Sequence, residues 1–109
     1  MKLTVLGPGC WGLTIAKLLN NNFEDICIWG RAQDITEQLK NDKKIEKPLK
    51  IELDKKVEIT SDLKYAINGA DIILLVVATG GIRSVCEQIK AIGGLNENQI
   101  LVNLSKGIE

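Results

Sequence analysis

Five short runs of branched apolar residues punctuate the chain: Lys2 to Leu6 (KLTVL), Asp25 to Trp29 (DICIW), Lys56 to Thr60 (KVEIT), Asp71 to Val77 (DIILLVV) and Gln99 to Leu104 (QILVNL). Each is bounded by Gly, Asn, Asp or Ser, which predicts strands. Ile72 to Val77 holds no polar residue. An unbroken apolar run of that length fits a strand covered on both faces, as in a parallel sheet between helical layers.

Helical periods lie between the strands. Trp11, Ile15, Leu18 and Leu19 fall on one face of a predicted helix ending at Asn20 to Asn22, where the Asn cluster can supply a C-cap. Ile35 and Leu39 mark a shorter, more polar helix. A brief helix over Ser61 to Ile67 is opened by Ser61 or Asp62 and closed near Asn68-Gly69. Ile82, Val85, Cys86, Ile89 and Ile92 form the clearest stripe, and Gly93-Gly94 end it. The stretch from Asn41 to Lys56, with Lys and Glu interspersed around Pro48, reads as a solvated connection. Strands alternating with helices require parallel pairing through right-handed crossovers. The predicted fold is therefore a doubly wound α/β sheet, strand order 3-2-1-4-5, as one domain over residues 1–109.

Composition narrows the function. Fourteen basic residues balance fourteen acidic ones, so no net positive field favours nucleic acid or an anionic membrane. No apolar run reaches the roughly 18 to 20 residues that cross a bilayer, and the N-terminus passes directly into a strand without a cleavable signal. A cytoplasmic location is expected. Cys10, Cys27 and Cys86 are odd in number and widely spaced, which fits neither a disulfide framework nor a zinc site. Cys27 and Cys86 are expected to be buried in the core. Without any His, the commonest general base and metal ligand is missing, and no metal site is expected.

The chemistry concentrates in Gly7-Pro8-Gly9-Cys10-Trp11-Gly12, which follows the first strand and opens the first helix. Its G-x-G-x-x-G spacing, in that strand-and-helix context, is the dinucleotide-binding signature. Gly7 permits the tight turn, Gly9 lets a pyrophosphate approach the backbone, and Gly12 lets the helix sit close on the sheet. A purely structural role for all three leaves a cost of about 1 kcal/mol for Gly12 inside a helix unexplained. Cys10, at the helix start, supplies a small side chain beside the phosphates. At the end of the second strand an NAD site usually carries Asp or Glu for the ribose hydroxyls. Here Trp29-Gly30-Arg31 stands instead, which favours NADP(H). Asp34 nearby leaves NAD(H) open.

Together GPGCWG, IWGR at Ile28 to Arg31, DIILLVV from Asp71, IRSV at Ile82 to Val85 and SKGIE at Ser105 to Glu109 resemble the N-terminal, Rossmann-type domain of bacterial and plastid-type NAD(P)-dependent glycerol-3-phosphate dehydrogenase. The resemblance implies that Cys10, Trp11 and Arg31 line the dinucleotide site, with Arg31 near the adenosine end. It also implies that Lys106 borders both the nicotinamide and the substrate phosphate. A Lys just past the carboxyl end of a parallel strand suits that crevice. The implied reaction interconverts dihydroxyacetone phosphate and sn-glycerol 3-phosphate for phospholipid synthesis. The small-molecule phosphate substrate and a homodimeric intact enzyme follow from the same likeness. The family's catalytic lysine belongs to a second, helical domain absent from this chain, so no catalytic residue is expected here. The chain departs from the family at Cys10, at Ser105, and at Ala78-Thr79-Gly80-Gly81, where a Pro-containing turn is usual. Competing expectations are a ketopantoate or pyrroline-5-carboxylate type of reductase, a stand-alone nucleotide-binding module, and a self-associating fragment with an empty site.

Overall fold

The computed structural model of the chain describes residues 1–31, 37–45, 51–77 and 79–104. Its main sheet has five parallel strands in the order β5-β2-β1-β6-β7: β1 (Lys2–Leu6), β2 (Asp25–Trp29), β5 (Glu58–Thr60), β6 (Ile72–Leu75) and β7 (Ile100–Asn103). Counted as the five predicted strands, this is 3-2-1-4-5. The first two strands have the predicted limits; the other three are shorter at both or one end. Asp71 ends one of them by turning its carboxylate to accept from the Lys2 backbone N–H at 2.7 Å. Lys56 sits in a turn before β5, and its amino group donates to the Asn20 and Phe23 carbonyls, both at 2.7 Å.

Strand side chains alternate across the sheet and create two cores. On one face Leu3, Val5, Ile26, Ile28 and Leu74 pack under α1 (Cys10–Leu18) and Leu39 of α2 (Glu37–Asp42). On the other Leu6, Cys27, Trp29, Ile73 and Leu75 pack under α3 (Leu63–Ile67) and α4 (Thr79–Ala91). Both faces of β2, β1 and β6 are thereby covered, which is why these parallel strands can be largely apolar, whereas Ile100, Leu101 and Val102 of the edge strand β7 are exposed. Thr4 is the buried polar exception among the described residues, and its hydroxyl donates to the Ala66 carbonyl in α3.

Several expectations are corrected. On α1 the sheet-facing side is Gly12, Leu13, Ile15 and Ala16, whereas Trp11 and Leu18 are exposed. At about 100° per residue the large side chains do form a stripe. The small residues Gly12 and Ala16, however, let the helix axis approach the sheet, and that close approach rotates Trp11 and Leu18 outward. Leu19 caps α1, and Asn20–Asn22 form a separate 3-10 turn, in place of an Asn cap. Cys86 is exposed rather than buried, because the face of α4 that meets the sheet is centred on Val85 and Ile89. The stretch read as a solvated connection contains a short antiparallel pair, β3 (Lys44–Ile45) with β4 (Ile51–Glu52), and it buries Ile51 and Leu53 in the α1-side core. Ile35, Asp34 and Pro48 lie outside the described residues. For α3 the structure selects Asp62 as N-cap, its carboxylate accepting from Tyr65 N–H at 3.2 Å. Among the described residues no helix is long and apolar enough to cross a membrane.

Candidate functional site

β1 ends at the carboxyl edge of the sheet, where two further ladder bonds hold the departing chain. Gly7 N–H donates to the Trp29 carbonyl at 2.8 Å, and Val76 N–H donates to the Leu6 carbonyl at 3.0 Å. The chain then turns with φ +137° at Gly7, a value that L side chains rarely adopt. A Cβ there would also stand 2.8 Å from the Val76 carbonyl oxygen. Gly12, in the first turn of α1, has no room either: a Cβ would run into the Gly7 carbonyl oxygen and approach Val76 Cγ2 to 3.1 Å. The folding of this chain accounts for both glycines.

Gly9 is different. Its φ of −72° and ψ of 175° suit any residue, and an added Cβ would meet nothing within 4 Å. Neither backbone strain nor packing calls for glycine at this position. The space it leaves open faces outward from the start of α1. Its N-cap, Gly9, makes no side-chain hydrogen bond to the helix, and no acidic residue lies in the first turn. The first N–H groups of a helix lack intrahelical acceptors, and aligned peptide dipoles place about half a positive charge there. An anion can approach such a corner at close range.

A cleft of about 610 Å³ opens beside this corner, within the roughly 300–1,000 Å³ of small-molecule sites. One wall is the loop Gly7–Gly9; the next is Trp29, Gly30 and Arg31 at the end of β2. Val76 and Val77 follow β6, and Gly81, Ser84, Val85 and Gln88 come from α4. Two of the walls are locked together, because a Cβ on Gly30 would fall within 2.8 Å of the Pro8 ring. Trp29 is fixed beneath them, buried, with its indole N–H donating to the Ser61 carbonyl at 3.0 Å. Among the described lining residues Arg31 carries the charge, and there is no carboxylate.

The sequence-predicted residues thus separate. Gly7, Gly9 and Arg31 line one cleft, and Gly12 lies buried below the loop where it supports α1. Trp11 is 51% exposed and stands outside the lining. Cys10 opens α1, but its side chain lies outside the described residues, as does Lys106 entirely. Sequence reasoning passed over Gly30, Ser84 and Gln88. A glycine directly after a strand, and small or polar residues at Gly81, Ser84 and Gln88 beside the apolar stripe of α4, were the available signals. Cys27 carries no reactive character, since burial pushes its thiol up to about 11. No group of three or more His, Cys, Asp or Glu able to hold a metal ion occurs among the described residues.

Compared with known proteins, residues 2–109 match the family described as the N-terminus of NAD-dependent glycerol-3-phosphate dehydrogenase. The chain belongs to this family. Among its relatives, the glycerol-3-phosphate dehydrogenase [NAD(P)+] of Thermoanaerobacter sp. (strain X514) is 35% identical over 109 residues, which is 100% of this chain and 32% of the relative. That of Streptococcus uberis is 36% identical over 99% of this chain and 32% of its own length. A solved structure of Plasmodium falciparum glycerol-3-phosphate dehydrogenase superposes with a TM-score of 0.84 at 28% identity, covering 97% of this chain and 32% of that one. The chain spans about a third of the length of the curated relatives it matches.

Proposed function

We propose that this chain is the cofactor-binding part of an NAD(P)-dependent glycerol-3-phosphate dehydrogenase, taking NADP(H) and, less tightly, NAD(H). Its relatives are named glycerol-3-phosphate dehydrogenase [NAD(P)+]. The observation that carries the reading is Gly9, a glycine that neither the backbone angles nor the packing demands, opening onto the start of α1.

The N–H groups at the start of α1 would hold the pyrophosphate, with the open space at Gly9 letting it come close to the main chain. Arg31 would meet the 2′-phosphate at the adenosine end. A carboxylate about 4 Å from that phosphate would cost roughly 4 kcal/mol at an effective dielectric of 20, whereas the cation Arg31 in the cleft lining supports the phosphorylated cofactor. The bound dinucleotide supplies the hydride for reversible reduction of dihydroxyacetone phosphate to sn-glycerol 3-phosphate. This chain's part is binding and orientation. Lys106 and Cys10 complete the proposed cofactor contacts, with Lys106 also reaching the substrate phosphate, while Trp11, outside the lining, is left out of them. The remaining machinery belongs to a helical domain of the intact enzyme, a cytoplasmic homodimer serving phospholipid synthesis. By itself the chain binds cofactor and turns over little or no substrate.

Titration calorimetry with NADPH and NADH on the wild type and on Gly9→Val tests this. Saturable binding, tighter for NADPH and lost in the variant, is the expected result. Absence of binding to the wild type, or equal affinity of the variant, would overturn the reading.

A further inference from the structure

The described cleft lining holds three polar side chains besides Trp29: Arg31, Ser84 and Gln88. The remaining lining is glycine, proline, valine and Trp29, whose indole N–H is already committed to Ser61. Ser84 and Gln88 are one helical turn apart on α4, both exposed, and Gln88 Nε2 donates to Ser84 Oγ at 3.2 Å. They stand with Gly81 on a face of α4 next to the one formed by Val85 and Ile89, which enters the core. No described residue of β7 joins the lining. Trp29, Gly30 and Arg31 bring the end of β2 into the lining, so the half of a dinucleotide received here is the half anchored there.

Resting on the cofactor reading above, we infer that Gln88, steadied by Ser84, recognises the 6-amino group of the cofactor's adenine. The helix start takes the pyrophosphate and Arg31 the 2′-phosphate, which leaves the base to the apolar surface of Val76, Val77 and Gly30. A purine on that surface still has a polar edge to satisfy. With one amide N–H directed at Ser84, Gln88 keeps its carbonyl oxygen and its second N–H. That donor and acceptor pair matches the 6-amino group and the adjacent ring nitrogen of adenine, a bidentate pairing that Gln and Asn make with this base elsewhere. Ser84 restricts the rotamers of the amide before the base arrives, so less ordering remains to be done on binding.

The test compares NADP⁺ with 1,N6-etheno-NADP⁺, in which a bridge removes the hydrogens of the 6-amino group. Affinities of both are measured by calorimetry on the wild-type chain, on Gln88→Ala and on Ser84→Ala. Wild type is expected to prefer NADP⁺ by about tenfold, the worth of one good base contact. Gln88→Ala loses about tenfold for NADP⁺ and binds the two compounds within about twofold, while Ser84→Ala keeps part of the preference. Both side chains are exposed, so the unfolding temperature stays unchanged and a folding defect is distinguishable. A preference that survives intact in Gln88→Ala overturns this inference alone, provided that Gly9→Val still abolishes binding. Failure of the wild type to bind NADP⁺ overturns the cofactor reading and this inference together.

Discussion

Substituting alanine at Gly9 and at Gly12 separates the two uses of glycine in the loop. At Gly12 the new methyl would press on the Gly7 carbonyl oxygen and on Val76 Cγ2, and a backbone oxygen on a buried turn cannot swing aside. Overpacking of this kind costs about 1–3 kcal/mol, against about 1 kcal/mol regained from helix propensity. With a backbone obstacle the upper end applies, leaving a net loss of about 1–2 kcal/mol. At roughly 4–8 °C per kcal/mol for a domain of this size, Gly12→Ala lowers Tm by about 5–15 °C. At Gly9 the methyl enters open space at an unstrained φ. Alanine is the poorer N-cap by about 0.5–1 kcal/mol, which is offset by about 0.4–1 kcal/mol from a stiffer unfolded chain. Stability therefore stays within about 0.5 kcal/mol of wild type. The same methyl pushes an anion away from the helix start, and one charge-assisted hydrogen bond is worth about 1.5–3 kcal/mol. Gly9→Ala then binds NADP⁺ about 10- to 100-fold more weakly. Thermal unfolding followed by circular dichroism, with calorimetric titration of the same samples, reads both quantities. Equal losses of Tm in the two variants, or wild-type affinity in Gly9→Ala, would refute the reasoning.

Arg31→Glu should weaken NADP(H) more than NAD(H), at least tenfold in their ratio of affinities; equal losses in a side-by-side titration would mean that Arg31 does not meet the 2′-phosphate. Thr4→Val keeps the shape of a fully buried side chain but orphans the Ala66 carbonyl. A loss of about 1–3 kcal/mol in urea unfolding is expected, and an unchanged midpoint would show that the carbonyl finds another partner. Burial holds the Cys27 thiol protonated up to about 11 against an ordinary 9.0, so the unfolded chain releases this proton first. The corresponding stability is complete below pH 9 and lost as pH rises toward 11. Cys27→Val should therefore lose less stability between these limits than wild type, and a parallel loss would contradict the assignment. Iodoacetamide at pH 8 should modify the exposed Cys86 readily and Cys27 only as fast as the chain unfolds, which peptide mass mapping after timed quenching resolves.

β1 and β2 were legible because they are largely apolar and end sharply at Gly7 and Gly30, whereas β6 was read too long because Val76 and Val77 continue its apolar run past Leu75. Their order followed from strand and helix alternation alone. The orientation of α1 was not legible in the same way. A stripe of large residues, Trp11 and Leu18 included, outweighs Gly12 and Ala16 on any hydrophobic count, yet the small residues decide which side can approach a sheet. The β3 and β4 pair was hidden because Ile51 and Leu53 alternate with charged neighbours in a lysine-rich stretch. In the site, Gly7, Gly9 and Arg31 were readable from spacing, since each stands at a fixed offset from a strand end. Ser84 and Gln88 were not, because two polar residues on a helix read as solvated until the topology turns that face toward the cleft. Gly30 is explained only by contact with Pro8, twenty-two positions earlier in the chain, which no local pattern encodes.

The most direct test is to titrate the ¹⁵N-labelled chain with NADP⁺ and follow every backbone amide by nuclear magnetic resonance. The account predicts that the largest shifts fall on Gly9 to Gly12, Gly30, Arg31 and the Ser84 to Gln88 turn of α4, with β7 and α3 little changed. Shifts concentrated on β7 or α3, with the amides at the start of α1 unmoved, would contradict it.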